Sequence, residues 1–286
     1  MVLEFIYSTQ RISRHPIIIF FEAIILSVLA VILAKLFFLP EHMSFGILIF
    51  ITIGFIPIFA KLFSYNSYLF NYSSNFFKRH KTIMLQLLYA FLGVFVAFTF
   101  IFFVVNTETR EEIFSTQLSE IEKIAHSRNT LTGQVSGTII KKESNFSNAF
   151  NLIFSNNLGV VLRAGLLSLF YGAGAIYLIT WNASILAIAI ANDILVNLGG
   201  VIGVSGMLEG IGNALITLIG YIPHGLPEVL AYILISLAGA IFARGLIKGL
   251  FFTEFRWVII KDLILLVISA IALLLVGALI EASYFI

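Results

Sequence analysis

Residues 211–228 read IGNALITLIGYIPHGLPE. The stretch is apolar as far as Ile222, and then Pro223, His224, Gly225, Pro227 and Glu228 follow within six residues. A helix needs about 20 apolar residues to span the hydrocarbon core, so 211–222 is too short to cross. Proline lacks a backbone donor and clashes with the preceding turn. Broken helices at membrane depth survive where protein or a water-filled cavity satisfies the freed backbone groups. The pattern therefore predicts a half-helix over 206–227 that dips in and turns, broken at 211–228, with GYIPHGLPE (220–228) as the turn.

The surrounding chain sets the solvent. Hydrophobic residues make up 60% of the 286 and charged residues 11%, against roughly 25% charged in a soluble domain. Such a chain cannot cover itself with polar surface, so the lipid bilayer must surround it. The absence of cysteine excludes disulfide and thiol chemistry. A net charge of +2 gives no footprint for nucleic acid. The N-terminal apolar run from Pro16 to Leu39 is too long for a signal peptide core and lacks a small-residue cleavage site.

That run is the first of seven expected spans, at 16–39, 44–63, 83–105, 158–180, 183–204, 228–247 and 257–280. The expected fold is all-α, a polytopic transmembrane bundle of about seven spans plus the proline-broken re-entrant half-helix. Three regions follow: a three-span segment at 1–105, an extracytoplasmic loop at 106–157, and a membrane core at 158–286. Arg11, Arg14, Lys61, Lys78, Arg79, Lys81, Arg244, Lys248, Arg256 and Lys261 fall in short segments on one side, ten of the 17 basic residues. The positive-inside rule makes that side cytoplasmic, with the N-terminus in and the C-terminus out. Topology alone accounts for the Arg79-His80-Lys81 cluster.

In the loop, Thr109 and Glu112 have capping-box spacing, and Phe114, Leu118, Ile121 and Ala125 then share one helical face. Residues 127–138 read as a glycine-bearing loop. Phe146, Phe150, Ile153 and Phe154 form a second stripe, suited to a helix lying in the interface. Both helices either roof the membrane domain or, in the first, offer a docking surface to an extracytoplasmic partner.

Four ionisable residues are candidates for a polar intramembrane site: His224, Glu228, Asp193 and Arg163. His224 and Glu228 share a face if a helix starts at 225–228, with Pro227 in its first turn and Glu228 complementing its dipole. Either they shape that helix start, or they form an ion, proton or polar-ligand site, the usual meaning of intramembrane ionisable groups. Two ligands are too few for a structural metal, and no metal or other cofactor is expected. Arg163 either snorkels to the headgroups or pairs with Glu228 or Asp193. Asp193, Asn192 and Asn197 give the fifth span a polar face, loosened by Gly199, Gly200, Gly203 and Gly206. Asn156 and Asn157 precede the fourth span, where asparagine caps well.

From 155 onward the chain resembles the stage II sporulation protein M family. The likeness rests on Asn156 and Asn157, the Gly172/Gly174 pair, Asn182 in the next short turn, and Pro223-His224-Gly225 with Glu228. It covers roughly 150–250, and two extra N-terminal spans depart from a compact family core. The resemblance implies a polytopic plasma-membrane protein without enzymatic activity. In spore-forming bacteria it implies a membrane anchor and scaffold for cell-wall-degrading partners. The leading expectation is thus a non-enzymatic scaffold or assembly factor organising cell-envelope proteins, with a homodimer as one form. A transporter or channel built on the broken helix is the alternative. An intramembrane hydrolase ranks last, for want of a paired-acid, Ser-His or metal motif.

Overall fold

The computed structural model describes residues 15–69, 75–132, 134–135, 138–139, 146–168, 173–198 and 203–283. Eight α-helices account for nearly all of them: α1 (Ile17–Phe37), α2 (Pro40–Leu69), α3 (Phe76–Val104), α4 (Thr107–Thr132), α5 (Phe146–Ser168), α6 (Ala173–Leu198), α7 (Gly203–Ile247) and α8 (Arg256–Ser283). A two-residue antiparallel ladder, Gln134–Val135 with Thr138–Ile139, follows α4. All the helices except α4 contain a stretch long and apolar enough to cross a membrane.

The packing runs from one flank to the other. α1 lies against α2 and α3, and α3 lies against α6. α6 meets α7, and α7 packs most extensively on α8, with α5 set against α6, α7 and α8. The centre is α7, which is buried on every side from Ala231 through Ile241. A helix apolar all round belongs in a bundle interior. At Gly93 the backbones of α1 and α3 nearly touch: a Cβ there would run into the Phe20 carbonyl oxygen and lie 2.6 Å from the Ala23 Cβ. Small residues permit such close helix contact in lipid, where packing rather than hydrophobicity drives association. Gly249, at φ +63°, supplies the left-handed residue that ends α7 and lets the chain turn through the short 3-10 segment Leu250–Phe252 into α8.

The re-entrant hairpin does not form. α7 runs unbroken for 45 residues, with Pro223 and Pro227 inside it, and 211–228 is continuous helix. Two prolines remove two backbone hydrogen bonds. A turn at membrane depth would leave more groups unsatisfied, each costing several kcal/mol. At about 1.5 Å per residue, α7 is roughly 68 Å long, so it outruns the bilayer, and the apolar span counts from Ile219 to Ile247.

The fourth and fifth spans also sit earlier than expected. They are α5 and α6, not 158–180 and 183–204. The Phe146, Phe150 and Phe154 stripe opens α5 itself instead of forming a separate interfacial helix, and its rings stack in sequence at 6.3 and 5.7 Å.

α4 folds into the bundle. Ile113, Phe114 and Gln117 are buried, and Phe114 packs edge-on to Phe98 at 5.6 Å and tilted against Phe102 at 5.9 Å. The apolar stripe is thus a roof contact, and the helix kinks at Phe114 to reach it. Asn106, not Thr109, receives the first free donor, from Thr109 N at 2.9 Å. Arg110 stacks 4.4 Å above Phe102 and donates to the Phe102 and Val105 carbonyls at the end of α3.

The unbroken helix makes a distinguishing prediction. A Cβ at Gly220 or Gly225 meets nothing within 4 Å. Replacing a mid-helix glycine by alanine then stabilises by about 0.5–1 kcal/mol, whereas the same change at a glycine turn destabilises. Gly220→Ala and Gly225→Ala should leave thermal unfolding in detergent unchanged or raised. Gly93→Ala should lower stability by about 1–3 kcal/mol through overpacking.

Candidate functional site

Asp193 and His224 both meet Tyr221, while Glu228 joins Tyr232 through Asn157. Glu228 accepts a hydrogen bond from Asn157 Nδ2 at 2.5 Å. The Asn157 Oδ1 accepts from the Tyr232 hydroxyl at 3.3 Å. Asn157 is therefore an interior residue of α5 bonded across to α7, not a helix cap, while its neighbour Asn156 faces outward. Asp193 accepts from the Tyr221 hydroxyl at 2.9 Å, tying α6 to α7. The His224 ring lies 5.7 Å from that of Tyr221. Arg163 is exposed and donates from Nε to the Gly159 carbonyl of its own helix at 3.1 Å.

Residue spacing explains which side chains meet. Asn157, Glu228 and Tyr232 form a chain because Glu228 and Tyr232 are one helical turn apart on α7. α8 closes the other side, with Gly277 so near that its Cβ would lie 3.2 Å from the His224 carbonyl and 3.1 Å from the Glu228 Cγ. Glu281, one turn further along α8, is also buried. Among the described residues no group of three or more His, Asp or Glu side chains could hold a metal ion.

The family-like residues take helical roles. Gly174 lets the start of α6 press on the Leu167 backbone at the end of α5. Asn182 is mid-helix in α6, bonding back to the Leu178 carbonyl at 2.8 Å, so no turn occurs there. Pro223, Gly225 and Pro227 lie within α7. Gly172, Gly199 and Gly200 lie outside the described residues.

Sequence reading missed two polar ties. Asp262 in α8 accepts from Arg79 Nε at 2.9 Å and Nη2 at 2.5 Å, a bidentate pair. His80 Nε2 lies 2.8 Å from the same carboxylate. Asp262 and His80 are fully buried, and the Arg79 side chain nearly so. The basic cluster at the start of α3 is thus partly a clamp on α8. The available signal was one acid early in the last apolar span, since intramembrane acids seek partners. The second tie runs from Ser44 on α2 to Gln117 Oε1 at 2.6 Å, and from Gln117 Nε2 to Ser184 on α6 at 3.1 Å. It fastens α4 to two spans at once.

These contacts imply graded mutational costs. Glu228→Gln keeps an acceptor for Asn157 and should unfold near the wild-type temperature. Glu228→Leu strands a buried amide and should cost about 1–3 kcal/mol. Asp262→Leu leaves the Arg79 charge buried without its carboxylate, a loss of about 3–5 kcal/mol. Unfolding in matched detergent micelles checks all three, and equal effects for the two Glu228 variants would rule out the Asn157 bond.

Comparison with known proteins places this architecture. The family model described as stage II sporulation protein M matches residues 17–284, so the first three spans belong to the family pattern and are not additions to it. No curated protein and no solved structure matches the chain. The seven apolar helices and this end-to-end match identify the chain as a multi-pass membrane protein belonging to the stage II sporulation protein M family.

Proposed function

We propose that this protein is a non-enzymatic membrane scaffold that holds cell-envelope partners at the bilayer surface. The observation that carries the reading is the use of the buried polar groups. Asp262 with Arg79 and His80, Gln117 with Ser44 and Ser184, and Glu228 with Asn157 all link one helix to another. Side chains spent on helix-to-helix bonds favour a fixed bundle over a transport path, whose polar groups must exchange partners with a passing solute.

In this reading the basic ends of α3 and α8 face the cytoplasm by the positive-inside rule, and α4 lies on the opposite side. With its apolar stripe turned into the bundle, α4 offers partners its polar face, where Glu108, Glu111 and Glu122 are exposed. A partner that docks there carries complementary basic groups, and charge complementarity sets its on-rate and salt dependence.

Tagged protein extracted from its native membrane tests this directly. A defined envelope protein should co-purify, and Glu108→Lys with Glu111→Lys should reduce its recovery at least tenfold while the chain remains inserted and monodisperse. Transport is the competing reading, favoured by half-buried Glu228 and buried Glu281 near Tyr232. Solute or proton flux into proteoliposomes that is abolished by Glu228→Gln would replace the scaffold reading with that one.

A further inference from the structure

Glu22 and Arg163 are charged side chains within the spans that make no ion pair among the described residues. Glu22 lies in α1, half-buried, with its Oε2 enclosed and without a hydrogen-bond partner. Arg163 lies in α5, exposed, hydrogen-bonded to the carbonyl of its own Gly159 and within electrostatic reach of Tyr232. Intramembrane charges are costly and mark a contact or a pathway. The two residues belong to different flanks: α1 packs on α2 and α3, whereas α5 packs on α6, α7 and α8. Within one chain α1 and α5 share no extensive contact.

They sit at the same depth. The Arg79–Asp262 bond gives a common level for α3 and α8. Gly93 is about 14 residues along α3 from that level, and Gly277 about 15 residues along α8, so both stand roughly 21–23 Å above it. Gly93 abuts Phe20 and Ala23 of α1, either side of Glu22. Gly277 abuts Glu228, which Asn157 bonds. The Arg163 side chain folds back to Gly159, two residues from Asn157, so its guanidinium lies roughly 3 Å from the Asn157 level. The carboxylate and the guanidinium therefore occupy one plane of the membrane, near the middle of α3.

Their surroundings match too. Glu22 opens a row at alternating three- and four-residue spacing, Ile25, Leu29, Ile32 and Leu36, all exposed. That is the seam spacing of packed helices. Arg163 sits between exposed Leu162 and Leu166. Each charge has exposed apolar neighbours on its own helix, and the signs are opposite.

We infer that copies of this chain associate head to tail, the α1 face of one meeting the α5 face of the next, with Glu22 paired to the partner copy's guanidinium at position 163. Unlike surfaces meet in this contact, so it is heterologous and builds a ring or a row and not a two-fold dimer. The inference concerns how copies meet and stands whether or not the scaffold reading holds.

The cysteine-free chain allows a clean test. Phe21 and Asn156 are both exposed and lie at nearly one level across the inferred contact. Chains carrying Phe21→Cys and chains carrying Asn156→Cys, differently tagged and co-expressed, are oxidised in native membranes. The mixed disulfide should form, neither chain should link to itself, and a chain carrying both cysteines should give a ladder or a closed ring. Glu22→Gln should lower the mixed yield at least tenfold, and Glu22→Arg combined with Arg163→Glu should restore it. Self-linking of the Phe21→Cys chain alone would replace the head-to-tail contact with a two-fold one. Absence of any disulfide, or a yield indifferent to Glu22→Gln, would overturn the inference, because the cysteine arms leave both charges in place.

Discussion

Hydrocarbon offers no hydrogen bond, so every polar group that this chain carries into the bilayer must find its partner in protein. The Arg79–His80–Asp262 cluster shows the consequence most directly. An arginine fork, an imidazole and a carboxylate are all withdrawn from solvent, and their bonds join the start of α3 to the start of α8, helices far apart in the chain. The bidentate geometry that arginine presents to a carboxylate makes this a directional clamp. It holds those two helix ends at one level on the same side of the membrane.

A second tie does the same work near the middle of the bundle. Asn157, Glu228 and Tyr232 register α5 against α7, and Gly277 brings α8 close enough to close the group. Gln117 draws the one long polar helix down onto α2 and α6. Between these ties the interior is mostly apolar, and small residues such as Gly93 decide how near the backbones come. The polar bonds specify which helices are neighbours and in which register, and packing supplies the contact between them.

Composition and hydropathy were enough to place the chain in the membrane, to count seven spans and to expect an all-α bundle, because lipid admits few other solutions for a long apolar chain. Several residues that matter were also visible. Asn157, Asp193 and Glu228 stood out as polar groups in apolar surroundings, and each is bonded across a helix interface. Their partners were not visible. Tyr221 and Tyr232 look like ordinary apolar bulk until a hydroxyl meets a neighbour, and Asp262 follows a lysine closely enough to pass for a loop charge. The prolines at 223 and 227 misled, since a rule learned from water, where a broken helix can hydrogen-bond to solvent, weakens where the alternative to helix costs more than two lost bonds.

The sequence by itself determined the solvent, the helical class, the number of crossings and the chain's family, all consequences of apolar runs and their spacing, which are local. Tertiary structure alone decided that α7 stays whole, that α4 turns its aromatic stripe inward, and that Asn157 meets Glu228. Those outcomes depend on which helix lies beside which, and a neighbour brought from many residues away leaves no periodic signature in the chain it touches.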